Sequence, residues 1–153
     1  SILEVGNVLS HYYLIKHDIL DKYEKGKSII NQDIINFYPN KKYDLVVSIS
    51  TLEHVGWDDD IKDPKKIIKA LNNIKTNCLN KNGKLIFTVP IGYNFYLDKL
   101  LKNNKIKVDK MYYFKRISWS NKWKQTNWDE IKNMKYDSPF NNANAIIVGI
   151  IKK

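Results

Sequence analysis

Acidic residues recur in the first third of the chain at the ends of short apolar runs, a spacing that could do chemistry. Ile2-Leu3-Glu4-Val5-Gly6-Asn7 places an acid and then a glycine where a buried strand turns. The pattern returns at Ile19-Leu20-Asp21, at Asn31-Gln32-Asp33 and along Tyr43 to His54. Carboxylates and small polar groups at the C-terminal ends of parallel strands form the binding crevice of an open α/β sheet. In such a crevice Gly6 lets backbone approach a ligand, because no Cβ stands in the way. Asp21 can accept hydrogen bonds from ribose hydroxyls, and Asp33 from an adenine amino group, with Ile34 against the ring. Each acid alone reads first as a turn or cap residue. The ordered set Glu4, Gly6, Asp21 and Asp33, followed by Ser48-Ile49-Ser50, points to a nucleotide-like ligand.

Imidazole is the side chain that titrates near neutrality, which makes His54 a candidate base, with Glu53 to orient it. The alternatives are a packed histidine satisfied by backbone groups and a helix-start glutamate. His11 follows the glycine turn and could face the crevice. Tyr93 and Asn94 follow the fifth strand and could stand at the crevice mouth, or form a plain turn capped by Asn94. Trp119 to Trp128 interleaves aromatics with cations, which suits stacking on bases or sugars, or simply covering a sheet edge. Trp57 beside Asp58-Asp59-Asp60 reads as a lid element or a solvated loop. No serine sits in a G-x-S-x-G elbow. Three histidines and one cysteine lack ligand spacing, so no metal site is expected.

The elements that must position these groups alternate. Strands are predicted at 2–5, 17–22, 28–35, 43–50, 84–89, 111–117 and 144–151. Asp63 as N-cap and Pro64 at the first position open a helix carrying Ile67, Ile68, Leu71, Ile74 and Cys78 on one face, ended at Asn82-Gly83. Asn94 caps a shorter helix with Leu97, Leu100 and Leu101. Such alternation implies parallel βαβ units with both sheet faces covered, and the last two strands form an antiparallel edge.

Composition narrows the class. At 153 residues with 43% hydrophobic content, one domain spanning residues 1–153 is expected. No apolar run approaches the roughly 20 residues of a membrane helix. Cys78 is alone, so no internal disulfide forms, and a reducing, cytoplasmic setting is expected. The strand at residue 2 belongs at a sheet centre, so an N-terminal lid segment is the piece expected to be missing. The net charge of +10 favours an acidic substrate or a polyanion, but Arg116 is the sole arginine among 26 basic residues. Base-edge readout leans on arginine, and nucleic acid is therefore the weaker partner.

Leu3-Glu4-Val5-Gly6, Asp21, Asp33-Ile34 and above all the run from Asp44 through Ser50-Thr51-Leu52-Glu53-His54-Val55 resemble the class I S-adenosylmethionine-dependent methyltransferases. Asn82-Gly83-Lys84-Leu85-Ile86 resembles that family's approach to its fifth strand. The resemblance implies a Rossmann-like, doubly wound, mostly parallel sheet with an antiparallel C-terminal edge strand, and S-adenosylmethionine as cofactor. It implies that Glu4 and Gly6 belong to the loop holding the methionine part, that Asp21 binds ribose, that Asp33 and Ile34 bind adenine, and that Ser50 lies beside the transferred methyl. One departure stands out. Where the family continues with glycines after Gly6, this chain has Val8 and Ser10, which crowd a cofactor unless the loop takes another path. Three functions follow: a methyltransferase acting on a small molecule or sugar, an inactive methyltransferase-like scaffolding module, and an RNA-directed methyltransferase.

Overall fold

The computed structural model describes residues 1–153. Its apolar, β-branched runs form eight strands: β1 (Ile2–Val5), β2 (Asp18–Asp21), β3 (Ile29–Asn31), β4 (Tyr43–Ile49), β5 (Leu79–Pro90), β6 (Lys110–Arg116), β7 (Trp123–Thr126) and β8 (Ala145–Lys152). They make one sheet in the order β3-β2-β1-β4-β5-β8-β6-β7. The first five strands in that order run parallel; β8 is antiparallel to both β5 and β6, and β7 is antiparallel to β6. The sheet is therefore Rossmann-like and mostly parallel, with an antiparallel edge.

Three local expectations are corrected. β3 is short, and Asp33 does not end a strand: its Oδ1 accepts from the N–H of Ile35 at 3.2 Å and caps a 3-10 turn over Ile34–Asn36. Gly83 is not a helix terminus. It lies inside β5, beside the register shift of β4 between Tyr43 and Leu45, where a Cβ would come 2.8 Å from the Tyr43 carbonyl oxygen. The Trp-rich stretch contributes β7, an edge strand absent from the sequence reading.

Three helices complete the fold: α1 (Lys66–Asn73), α2 (Phe95–Lys102) and α3 (Trp128–Ile131). Asp63 caps the turn into α1, its Oδ1 accepting from Lys65 N–H at 3.1 Å and its carbonyl from Lys66 N–H at 2.9 Å. A wider π turn, Ile74–Cys78, ends that helix. Asn94 caps α2 by accepting from Leu97 N–H at 3.0 Å. Ile67 and Ala70 of α1, Leu97 and Leu101 of α2 and Ile131 of α3 pack with Leu3, Val46, Leu85, Phe87 and Ile147 in one core.

Period-2 alternation explains which sheet residues join that core. Ala145, Ile147, Gly149 and Ile151 of β8 are buried, whereas Ile146, Val148 and Ile150 are only half-buried, as are Val47 and Ile49 of β4. The connections among β1, β2, β3 and β4 are loops and 3-10 turns, so helical cover gathers on the face that bears Ile147. Ile147→Ala is expected to lower unfolding free energy by about 3 kcal/mol in urea titration, and Ile146→Ala by no more than about 1 kcal/mol. Equal losses would contradict this asymmetry. No helix is long and apolar enough to cross a membrane.

Candidate functional site

A cavity of about 360 Å³ opens at the C-terminal ends of β1, β2 and β4. Gly6, Asp21, Asp33, Ile34 and His54 all line it, so the fold gathers these five from separate stretches of sequence. Glu4, His11, Ser50, Glu53, Tyr93 and Asn94 do not form its wall.

Glu4 works from behind the wall. Its side chain is fully buried, Oε1 accepts from the N–H groups of Val8 at 2.9 Å and Leu9 at 2.8 Å, and Oε2 meets His17 Nε2 at 2.8 Å. It thereby fixes the loop that follows Gly6. Gly6 has φ +88°, and an added Cβ would fall 2.1 Å from Thr51 Oγ1. The close approach that demands glycine is thus to the protein's own Thr51, itself a wall residue. Val8 also lines the cavity, on the side where the loop turns.

Asp21 accepts from Asn7 N–H through Oδ2 at 3.0 Å, and from Tyr23 and Glu24 N–H through Oδ1, both at 2.8 Å. A carboxylate has about four lone-pair sites, so capacity for a further donor remains. Asp33 is engaged differently. Its Oδ2 lies 2.9 Å from Lys66 Nζ and 3.5 Å from Lys22 Nζ. The same lysines hold Asp59, with Lys22 Nζ at 2.7 Å and Lys66 in close contact, and Tyr23 donates its hydroxyl to Asp59 at 3.0 Å. Burial raises the pKa of Asp59, but the hydrogen bonds from Lys22, Lys66 and Tyr23 outweigh it and hold the group at about 2. This ion network ties the loop after β4 across the Asp33 side of the cavity. The sequence offered no signal for it beyond an acidic trio that read as solvated.

Next to Asp59 in the chain, Asp58 Oδ2 receives His54 Nδ1 at 2.5 Å and the Tyr93 hydroxyl at 2.6 Å. Burial raises the Asp58 pKa, but those two hydrogen bonds outweigh it and keep the group below the usual carboxylate range. His54, Tyr93 and Tyr136 stack edge to face in a row, with ring centres 4.9 Å and 5.0 Å apart. Glu53 lies behind His54, its Oε1 3.8 Å from Nε2. Burial pushes its carboxyl up to about 8, with the charge of Asp58 adding to the effect, and its Oε2 has no hydrogen-bond partner.

The remaining positions are accounted for locally. Asn94 spends its amide on the Glu53 carbonyl at 2.7 Å and its oxygen on the α2 cap. Ser50 adopts φ +43° and donates its N–H to Thr88. His11 sits 3.2 Å from Glu24 on the surface. Trp123 of the edge strand β7 is separated from β1 by four strands of the sheet order, and Trp128 opens α3, which follows that strand.

A family model described as a methyltransferase domain matches residues 7–133. The chain belongs to the methyltransferase domain family. Among solved structures this methyltransferase domain is similar to the N-methyltransferase NodS from Bradyrhizobium japonicum WM9, solved with S-adenosyl-L-homocysteine. The identity is 13% and the TM-score 0.55, over 99% of this chain and 76% of that one. It is also similar to a TehB-like SAM-dependent methyltransferase from Corynebacterium glutamicum, at 16% identity and a TM-score of 0.50, over 99% and 79% of the two chains. At these identities the likeness is one of fold. No functionally curated protein matches the sequence.

Proposed function

We propose that this methyltransferase domain transfers a methyl group from S-adenosylmethionine to a small-molecule acceptor, a sugar included. The observation that carries the reading is the convergence of Gly6, Asp21, Asp33 and Ile34 on one cavity whose next wall is His54 and Asp58. The donor set suits a nucleoside. Asp21 keeps lone pairs for ribose hydroxyls, Leu20, Ile34 and Val55 offer apolar surface to a base, and Asp33 can share an amino group with Lys66. Bound there, the sulfonium would supply an electrophilic methyl carbon for in-line attack.

The chain's own residues then position and deprotonate. Asp58 holds Nδ1 of His54, so the tautomer this contact favours leaves the Nε2 lone pair free to take the acceptor's proton. Asp58 is thereby a positioning residue, and the protein's main contribution is orientation.

Calorimetric titration with S-adenosylhomocysteine tests the cofactor site. Micromolar binding is expected, weakened at least about tenfold in Asp21→Ala, the loss of one charge-assisted contact to a hydroxyl. Because Asp21 also holds three backbone N–H groups, a circular dichroism melt accompanies the titration. Unchanged affinity in a folded variant would remove Asp21 from the site. A second reading, a cofactor-binding module without turnover, draws on Val8 in the cavity wall and on Glu4 occupying the N–H groups of Val8 and Leu9. It predicts binding with no methylation of any acceptor supplied.

A further inference from the structure

The residues beside the cavity that a nucleoside does not engage carry a chemistry of their own. Glu53 and Asp58 are two carboxyl groups on the same loop, and neither is ion-paired with a lysine or arginine; their only ionic contacts are with His54. Asp59, on the same loop, differs: it holds two lysines. Lys62, whose charge acts on Asp58, makes no ion pair with it and lies over the Trp57 ring, 3.3 Å from its centroid.

The Glu53 side chain is only 2% exposed, and its Oε2 has no partner at all. A buried polar atom left unpaired costs roughly 1–3 kcal/mol, which a structure tolerates where a ligand completes it. Glu53 lies close enough to Tyr93 and Tyr136 to help raise both phenols. With His54, these rings form an aromatic row beside the two acids. The ionised Asp58 carboxylate, together with a Glu53 carboxyl that an arriving positive charge would ionise at its free Oε2, selects a cation beside these electron-rich rings.

We propose that Glu53, Asp58, His54, Tyr93 and Tyr136 form the acceptor subsite and that it takes an ammonium, so that the acceptor is a primary or secondary amine. The inference rests on the methyltransferase reading for its placement next to the cofactor cavity. The ammonium gives one proton to His54 Nε2. The freed nitrogen pair forms the N–C bond as the S–C bond of the sulfonium donor breaks, and that bond's electron pair stays on sulfur, leaving a thioether. A hydroxyl acceptor gains nothing comparable from two acids, because it brings no charge to balance them.

Matched probes decide the matter: D-glucosamine against D-glucose, and benzylamine against benzyl alcohol. Each is titrated into the isotope-labelled protein, with the His54, Tyr93 and Tyr136 ring resonances followed by NMR. The amines are expected to bind roughly tenfold more tightly than their neutral partners and to shift those three rings. Glu53→Gln, nearly isosteric, is expected to remove most of that preference while leaving S-adenosylhomocysteine affinity unchanged. Equal binding of neutral partners, no binding by either amine, or a preference surviving both Glu53→Gln and Asp58→Asn would each overturn the proposal. Loss of the cofactor reading would look different: no S-adenosylhomocysteine binding, with the amine preference intact.

Discussion

Glu4→Ala is expected to destabilise the domain by about 3 kcal/mol, read from the urea midpoint at neutral pH. The buried carboxylate accepts from two successive backbone N–H groups and from His17. Truncation strands those donors and empties the space beneath the loop that carries Gly6, Asn7 and Val8. Hydrogen bonds to a charged group are each worth about 1.5–3 kcal/mol, and Val8 and Leu9 are half-exposed, so water recovers part of the loss. Glu4→Gln keeps an acceptor of the same length and is expected to fall between wild type and Glu4→Ala. Cofactor binding should weaken along with stability, because the loop's path depends on this anchor. A loss below about 1 kcal/mol in Glu4→Ala would mean that the loop holds its shape without Glu4.

The second large effect depends on pH. Burial raises the Glu53 carboxyl from 4.5 to about 8. A folded pKa above the unfolded one means that the native state binds this proton more tightly. The associated stability is fully present below about pH 4.5 and is lost as pH rises through 8. Each unit is worth about 1.4 kcal/mol, so the full change is on the order of 5 kcal/mol. Glu53→Gln cannot ionise, and it should match wild type near pH 5 and exceed it by several kcal/mol at pH 9. Asp98, raised by burial to about 6 while accepting from Gly92 N–H, slopes in the same direction at lower pH. It is common to both proteins and cancels in the difference. Parallel wild-type and variant curves from pH 5 to 9 would show that Glu53 meets solvent or a counter-charge above neutrality.

Both effects come from carboxyl groups that the sequence marked as functional but could not sort. Glu4 and Asp21 share the same setting in sequence, an acid at the end of an apolar run. Glu4 turns inward to fasten a loop, and Asp21 turns to the cavity. Which way a strand-terminal side chain faces depends on register, and register is fixed by neighbouring strands, such as the pairing of Glu4 with Ile19 and Val47. Gly6 carries a related lesson. The sequence identified a position where no Cβ fits and assigned the close approach to a ligand, while the atom that requires glycine, Thr51 Oγ1, lies 45 residues away in sequence.

By itself the sequence determined the parallel half of the sheet, the existence and apolar face of the helix after Asp63 though not its end, which it set at Asn82-Gly83, the Asn94 cap and the set of strand ends from which the cavity is built. These follow from local periodicity and capping, which act over a few residues and are written in residue type. Tertiary structure alone decided the rest. It set β8 between β5 and β6, made an edge strand of Trp123–Thr126, strung Lys22, Asp33, Asp59 and Lys66 into one network, and brought Tyr93 to His54 and Asp58, with Tyr136 against Tyr93. The physical reason is that charge pairing, burial and ring contact depend on distances in space. Residues far apart in the chain acquire those distances only when the sheet closes around its core.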